Sequence, residues 1–230
     1  MHQLKTIFLK KKILIYGLGI SGYSSLNFLK KKNQVKFFDD NYRKFKNKKL
    51  KKFFVPLNKI YKYNFDYIII SPGINIEKCS LRNFLKKNEK KIFTDLDIFY
   101  SNNSSNIVIA VTGTNGKSTT VKLLNDIIKS TKKDVRLVGN IGKSILNEKK
   151  ISKQTIFIVE ASSYQIEYSK IFKSKYALLL NISPDHLERH KTFKKYLNAK
   201  LKLFYNQKKS DFAFLNKKNF LIKKELKNKN

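Results

Sequence analysis

The chain has 230 residues, room for one large domain or two ordinary ones, and 41% of them are hydrophobic, enough to bury real cores. Its single cysteine, Cys79, excludes an internal disulfide and suits a reducing compartment. The longest apolar runs are strand-length, far below the ~20 residues of a membrane span, so we expect a cytoplasmic protein that does not insert into a membrane.

The formal net charge of +34 is unusual, since 50 lysines and arginines face only 16 aspartates and glutamates. Such a charge could serve a nucleic acid or a membrane surface. However, the basic residues are spread along the chain, and only four are arginine, the residue preferred for base and bidentate phosphate contacts. Asparagine, isoleucine, phenylalanine and tyrosine, which like lysine have A/T-rich codons, are also abundant. We therefore interpret the charge as compositional drift and expect no specific nucleic-acid partner; a basic nucleic-acid-binding protein is the alternative.

The first hundred residues predict an α/β domain. An apolar strand over residues 12–16 leads through a glycine turn into a helix over residues 21–32, and a second strand follows over residues 35–38. Further strands are predicted near residues 53–55, 66–70 and 91–93, with helices near residues 43–52 and 77–88. Strands that alternate with helices indicate a parallel sheet with right-handed crossovers, so we expect one such domain over residues 1–100.

The polar segment of residues 101–106 lacks an apolar period and predicts a linker. After it the alternation restarts, with a strand over residues 107–111, a glycine loop and a helix over residues 117–130. Later strands are predicted near residues 135–138, 155–160, 176–181 and 212–215. The last residues, 217–230, are mostly lysine and asparagine, so we expect the second α/β domain, residues 107–230, to be incomplete.

A glycine turn follows the first strand and matches the G-x-G-x-x-G pattern through Gly17, Gly19 and Gly22. At the start of a helix, free N–H groups and the positive end of the helix dipole favour an anion. Asp39 ends the next strand, where Rossmann-like folds often place a ribose-binding carboxylate, and residues 71–73 form a second turn at the same edge. These features suggest a dinucleotide site. The alternatives are glycines that serve only close packing, and a plain turn at residues 71–73.

The second glycine loop lies between a strand and a helix and is typical of phosphate binding. Its residues are Thr112, Gly113, Thr114, Asn115, Gly116, Lys117 and Ser118. Successive backbone N–H groups can surround phosphates, Lys117 can reach the β and γ oxygens, and Ser118 can bind Mg²⁺. Val111 stands where the usual G-x-x-x-x-G-K-[ST] pattern has its first glycine, but the strand–loop–helix context is right. We therefore predict a P-loop ATPase-type domain.

Two further patterns suggest metal ligands. Glu160 ends a predicted strand beside the phosphate loop, so its carboxylate could bind Mg²⁺, although a strand-end glutamate can also be merely solvated. His186 and His190 stand at i, i+4 spacing, which suits zinc. Leu187 occupies the position of the glutamate in the H-E-x-x-H motif, and the sequence offers no evident third ligand, so we do not favour zinc.

These motifs resemble those of the muramyl peptide ligases. The phosphate loop is similar across that family and across folylpolyglutamate synthetases. More specific segments resemble the D-glutamate-adding branch of the family, and they occupy residues 17–22, 71–74, 94–99, 139–142, 160–167 and 181–186. The likeness runs from about residue 11 to residue 215, so it covers most of the chain.

The resemblance implies an enzyme of three domains that bind, in order, the UDP part of the substrate, ATP, and D-glutamate. The positions that match substrate binding are Ile20, Ser21, Asp39, Ser71, Pro72, Gly73, Asn140 and Ser162. The positions that match ATP binding are Gly113, Thr114, Asn115, Gly116, Lys117, Ser118 and Thr119. By this resemblance, a Rossmann-like first domain binds UDP instead of a dinucleotide.

The resemblance also implies two Mg²⁺ ions and a carbamylated lysine. Ser118, Glu160, His186 and Lys200 match the metal-binding positions, and Lys200, in a predicted helix over residues 193–204, matches the lysine that the family carbamylates. Lys117, His186 and Lys200 match catalytic positions. The implied reaction joins UDP-N-acetylmuramoyl-L-alanine and D-glutamate through an acyl phosphate, and we expect the protein to be a monomer.

The chain departs from the family at its end. No segment corresponds to the glutamate-binding third domain and the second domain stops early, so we expect a fragment that binds better than it catalyses. The alternatives are a non-catalytic nucleotide-binding module and another muramyl ligase, such as the L-alanine-adding enzyme. Residues 139–142 and 162–165 argue against the second of these.

Overall fold

The computed structural model describes residues 7–41, 48–216 and 218–227, which form two parallel-sheet α/β domains. The predicted fold class is therefore confirmed. The strands of the first sheet are β1 (Lys12–Tyr16), β2 (Gln34–Phe38), β3 (Tyr67–Ile70) and β4 (Ile92–Phe93). The helices around it are α1 (Ile20–Leu29), α2 (Leu57–Ile60), α3 (Arg82–Lys87) and α4 (Asp95–Asn103), with 3₁₀ turns over Lys48–Phe53 and Glu89–Lys91.

The second domain is built in the same way. Its strands are β5 (Ile107–Thr112), β6 (Val135–Gly139), β7 (Ile156–Glu160), β8 (Tyr176–Leu179) and β9 (Phe212–Leu215). Its helices are α5 (Lys117–Ser130), α6 (Ser163–Glu167), α7 (Leu187–His190), α8 (Phe193–Tyr205) and α9 (Phe220–Lys227), with a 3₁₀ turn over Ile145–Asn147. Among the residues that the structure describes, none lies in a helix long and apolar enough to cross a membrane.

Strand order decides which loops meet. The first sheet has the order β2-β1-β3-β4 and the second the order β6-β7-β5-β8-β9, with parallel pairing throughout both. The inner strands are apolar and buried, as covered parallel sheets require. Because carboxyl ends of parallel strands share one edge, Tyr16 lies beside Ile70, and Val111 lies beside Glu160. The predicted ligand loops of each domain therefore meet at one edge of its sheet.

The two domains pack against each other through a shared core. One buried apolar cluster contains Leu26 and Phe99 from the first domain together with Leu146 and Phe157 from the second. Phe99 and Phe157 meet edge to face, with ring centroids 4.8 Å apart. Burial of this area fixes the relative position of the two ligand-binding edges.

Several local predictions are wrong. The strand predicted at residues 53–55 is instead the end of a 3₁₀ turn, followed by an isolated bridge from Phe54 to Phe37. The helix predicted at residues 77–88 is shortened to α3. Of the helix predicted at residues 43–52, residues 43–47 lie outside the described part of the chain, and residues 48–52 belong to the 3₁₀ turn.

The predicted linker needs correction in its first half. Helix α4 continues through residues 101–103, and Ser101 is buried. The polar side chains of this turn bond back to helix carbonyls, since Ser101 and Asn102 both donate to the Ile98 oxygen, at 2.7 and 2.9 Å. A polar run can therefore be helical, so the lack of a periodic apolar pattern was not sufficient to predict a linker. In the described part of the tail, residues 218–227, Ile222 of α9 is buried against Leu179 and Ile182.

Candidate functional site

Close packing fixes the glycine turn at the end of β1. A Cβ added at Gly22 would lie 1.8 Å from the Gly17 carbonyl oxygen, and Gly17 has φ +86°, a conformation that favours glycine. At Gly19, in contrast, an added Cβ would meet no atom within 4 Å, so this backbone faces open space. Close packing therefore requires glycine at positions 17 and 22, whereas the backbone at Gly19 leaves room for a ligand.

The other predicted residues of the first domain gather around this turn. The Ser71 hydroxyl donates to the Gly17 oxygen at 2.7 Å, and the Asp39 carboxylate accepts from the backbone N–H of Leu18 at 2.6 Å. Pro72 and Gly73 continue from Ser71 at the rim. The structure thus brings the turn, the end of β2 and the loop after β3 into one site.

Two residues at the start of α1 complete this edge. Ile20 is 81% exposed, so its side chain projects from the start of α1 into solvent. Ser21 hydrogen-bonds the carboxyl group of Asp95, whose pKa is raised by burial. Ser21 therefore faces the first-domain interior, whereas Ile20 faces solvent.

The phosphate loop is rigid and opens into a helix. Strand β5 ends at Thr112 and α5 begins at Lys117, so the N–H groups of the first helical turn point into the loop. Gly116 precedes the helix with φ +81°. Asn181, beyond the end of β8, accepts from the Asn115 N–H at 2.9 Å and donates to the Asn115 oxygen at 3.0 Å. Asn181 was not predicted as a site residue, and these two bonds attach it to the phosphate loop.

Two lysines converge on this loop. The Lys117 ammonium donates to the carbonyl oxygens of Gly113 and Thr114, both at 2.8 Å, and so lies over the loop. The Lys200 ammonium reaches the same Gly113 oxygen at 2.8 Å from helix α8. Thr119 is exposed on the first turn of α5. The loop therefore combines helix N–H groups with two cations, which suits a phosphate chain.

A hydroxyl and a carboxylate meet beside the loop. The Ser118 hydroxyl donates to one carboxylate oxygen of Glu160 at 2.8 Å, and the Asn140 amide donates to the other at 2.9 Å. Glu160 is 1% exposed, so it is not merely solvated. Mg²⁺ usually takes one or two protein oxygens and completes its shell with water and substrate phosphates. Ser118 and Glu160 fit that ligand set.

Ser162 has a structural partner. It caps helix α6, where its hydroxyl accepts from the Gln165 N–H at 3.3 Å and its own N–H donates to the Gln165 side chain at 3.1 Å. This reciprocal arrangement is a capping box. It holds the start of α6 two residues after Glu160.

The two histidines do not form a metal site together. His186 precedes α7 with φ +52°, and its side chain is 44% exposed, 3.4 Å from the Asp185 carboxylate. His190 is buried, and its Nε2 lies 3.0 Å from the Ser163 hydroxyl. Within the described ranges, no group of three histidine, cysteine, aspartate or glutamate side chains is placed to hold a metal ion.

Lys200 is the most unusual cation of the site. It is 2% exposed, and its ammonium lies 4.7 Å from the centre of the Tyr196 ring. Burial, and then repulsion from Lys117, lower the pKa of Lys200 to about 7, while Asp185 opposes the shift. A large fraction of Lys200 is therefore a neutral, nucleophilic amine at neutral pH.

Comparison with known proteins agrees with this geometry. The family described as Mur ligase middle domain matches residues 111–230, and the family described as Mur ligase MurD-like, N-terminal domain, matches residues 11–92. A ligase from Neisseria meningitides, UDP-N-acetylmuramate:L-alanyl-gamma-D-glutamyl-meso-diaminopimelate ligase, has a similar fold, with a TM-score of 0.59 and 14% identity. The match covers 95% of this chain and 75% of that one.

Curated relatives are closer in sequence. UDP-N-acetylmuramoylalanine–D-glutamate ligase from Rickettsia bellii (strain RML369-C) is 35% identical over 92% of this chain and 47% of its own length. The protein of the same name from Rickettsia conorii (strain ATCC VR-613 / Malish 7) is 37% identical over 90% of this chain and 41% of its own length. The chain thus spans about half the length of the curated relatives it matches. The resemblance seen in the motifs is confirmed: the chain belongs to the Mur ligase family.

Proposed function

We propose that this chain carries the UDP-substrate and ATP sites of an ATP-dependent ligase that adds D-glutamate to UDP-N-acetylmuramoyl-L-alanine. The observation that carries the proposal is the contact of Ser118 with Glu160 beside the phosphate loop, in a chain whose first domain matches the MurD-like family. The relatives described above bear the name of this activity.

ATP would place its phosphates over the loop of residues 113–119. The N–H groups at the start of α5 would contact phosphate oxygens, and Lys117 would move from the loop carbonyls to the β and γ phosphates. Ser118 and Glu160 would hold one Mg²⁺, and His186 with a carbamylated Lys200 would serve a second. When bound, such ions neutralise charge on the transferring phosphoryl group.

The state of Lys200 supports carbamylation. Its neutral amine can attack CO₂, forming an N–C bond and releasing one proton, and the product is a carbamate anion. The lowered pKa of about 7 supplies the neutral amine without a separate base. The product would exchange a buried cation beside Lys117 for an anion, removing the repulsion between the two lysines.

In the proposed reaction, the alanyl carboxylate of the UDP substrate attacks the γ-phosphate, and ADP leaves. The amine of D-glutamate then attacks the acyl phosphate carbonyl, loses a proton, and expels inorganic phosphate. Lys117 would stabilise the charge that develops on the transferring phosphoryl group. The UDP group would lie along the open backbone at Gly19, beneath the exposed Ile20, with Asp39 and Ser71 at its sides. We expect the protein to act as a monomer in the cytoplasm.

Calorimetric titration tests the substrate assignment without requiring turnover. The 230-residue chain should bind UDP-N-acetylmuramoyl-L-alanine at least about tenfold more tightly than UDP-N-acetylmuramate, a difference of about 1.4 kcal/mol. NAD is the control for a dinucleotide site, and Mg–ADP is the control for a folded phosphate loop. Preference for UDP-N-acetylmuramate would favour the L-alanine-adding enzyme, and preference for NAD would overturn the UDP assignment.

A further inference from the structure

The backbone at His186 needs outside support. His186 has φ +52° and ψ +34°, a left-handed conformation that is uncommon and unfavourable for a residue other than glycine. The helix that follows, α7, is a single turn whose Arg189 and His190 N–H groups bond to the His186 oxygen, at 3.1 and 3.0 Å. A single turn is not stable by itself. Side chains must therefore hold this turn in place.

Two side chains of α7 anchor it to α6. The His190 Nε2 lies 3.0 Å from the Ser163 hydroxyl, and both residues are at most 3% exposed. Arg189 donates twice to one carboxylate oxygen of Glu167, at 3.0 and 3.2 Å. Helix α6 itself follows directly from the strand that ends at Glu160. The anchors therefore join the segment that carries His186 to the segment that carries Glu160.

The His190 ring is set up to make a directed hydrogen bond. Burial, with repulsion from Arg189, His186 and Lys200, lowers the pKa of His190 to about 4, so the ring is neutral at neutral pH. A neutral imidazole has one donor and one acceptor nitrogen. The Glu167 carboxylate lies 3.9 Å from Nδ1, beyond hydrogen-bond distance, whereas Nε2 lies within hydrogen-bond distance of the Ser163 hydroxyl and can donate or accept according to the tautomer.

The order serine, histidine, carboxylate is that of a hydrolytic triad, but the surroundings exclude that role. Ser163 is 2% exposed and sits in the first turn of α6, so no acyl substrate can reach its hydroxyl. The rings of Tyr164 and Tyr196 cover His190, with centroids 5.6 and 5.4 Å away. The same two tyrosines also flank His186, at 5.0 and 6.1 Å. Tyr164 and Tyr196 thus lie against both histidine rings and connect the Ser163–His190 pair to His186.

We propose that the Ser163–His190 hydrogen bond is a positioning pair, which locks α7 onto α6 and so sets the position of His186 relative to Glu160 and Lys200. The inference rests on the proposed function, in which His186 and Glu160 serve the two metal ions. Residues that orient metal ligands from behind typically change metal affinity by about 10–100-fold when they are removed. The pair therefore affects metal binding without touching substrate.

Paramagnetic broadening by Mn²⁺ tests this in the 230-residue chain. The protein has three histidines, so the ring signals of ¹⁵N-histidine-labelled protein are few enough to follow. With a non-hydrolysable ATP analogue bound, His190→Leu should need about 10–100-fold more Mn²⁺ than wild type to broaden the His186 signals. His190→Gln, whose amide can replace Nε2, should respond close to wild type. Unchanged affinity for the metal-free analogue reports that the phosphate loop is intact.

Ser163→Ala provides a milder second variant, because it removes one hydroxyl and leaves the ring in place. It should give the same direction of change as His190→Leu, and the double variant should show little further loss, since both remove one interaction. If His190→Leu and Ser163→Ala both need no more Mn²⁺ than wild type to broaden the His186 signals, the inference is wrong but the proposed function is unaffected. Failure of the wild-type chain to bind the analogue with Mn²⁺ would overturn the proposed function, and the inference with it.

Discussion

Asp97 links the two domains, and its substitution should destabilise the fold strongly. Its carboxylate is fully buried, and one oxygen accepts four hydrogen bonds from residues 169–172, between 2.8 and 3.1 Å. The other oxygen accepts from the N–H and hydroxyl of Thr94, at 2.8 and 3.2 Å. One side chain thus caps helix α4 of the first domain and fixes a loop of the second.

The substitution Asp97→Asn keeps the shape but not the acceptors. The amide retains one carbonyl oxygen, so either residues 169–172 or Thr94 must face an NH₂ donor. The less costly orientation keeps the oxygen towards residues 169–172 and leaves the buried N–H of Thr94 without its acceptor, at about 1–3 kcal/mol, while the remaining bonds lose the assistance of a charge. We expect a total loss of about 3–5 kcal/mol, a large share of the 5–15 kcal/mol that stabilises a typical domain.

Urea unfolding, followed by tyrosine fluorescence and circular dichroism, measures this loss. The matched control is Asp126→Asn on the exposed face of α5, which removes the same charge from a chain of net charge +34. Asp126→Asn should change the free energy of unfolding by less than about 0.5 kcal/mol. Equal effects of the two substitutions would refute the reasoning, because only the general charge balance would then matter.

Three further substitutions test the two ligand sites. Gly22→Ala should lower the melting temperature and the affinity for UDP, because the new Cβ would lie 1.8 Å from the Gly17 oxygen; a wild-type melting curve would contradict this. Glu160→Gln should weaken Mg–ADP binding about 10–100-fold but leave metal-free ADP binding nearly unchanged, and calorimetry with and without Mg²⁺ distinguishes the two. In CO₂-free buffer, the free energy of unfolding of the wild-type chain should rise from about pH 7 to about pH 10. The pKa of Lys200 is about 7 in the folded chain and about 10.4 in the unfolded chain, so between these pH values the unfolded chain binds more protons than the folded one. Lys200→Met should lack that rise in urea unfolding across the same pH range.

The sequence predicts best where an apolar strand is bounded by glycine. Strands β1 and β5 and helix α5 lie within a residue of their predicted limits, because buried parallel strands are continuous apolar runs and the glycine turns mark their ends. The apolar segment at residues 53–55 resembles a short strand in sequence, but in the structure it makes only one isolated bridge instead of a strand pairing. Phe54 packs at the edge of β2 instead, which only the tertiary structure decides.

In the candidate site, too, some residues are predicted by local sequence patterns and others are placed only by the tertiary structure. The strand–loop–helix pattern alone predicts that Lys117 and Ser118 lie on the phosphate loop. For Glu160 the sequence left a merely solvated carboxylate open, and its metal-binding role was implied by the family resemblance. Asn181 lies in a segment that resembles the family, but its contact with Asn115 spans 66 residues of sequence, so no local pattern predicts that contact. Lys200 is one lysine among many in the sequence, and only its burial against Gly113 and Tyr196 separates it from the solvated ones. Family resemblance was needed to single it out.

The i, i+4 spacing of His186 and His190 does not bring their rings together. Two histidines at i, i+4 share a helix face only if both residues are helical. His186 is left-handed and lies just before α7, so its ring turns towards Asp185 and Tyr164, while the ring of His190 turns into the core towards Ser163. The spacing that suggested one zinc site instead separates two tasks. An exposed histidine is left for a ligand, and a buried one four residues later fixes the short helix that presents it.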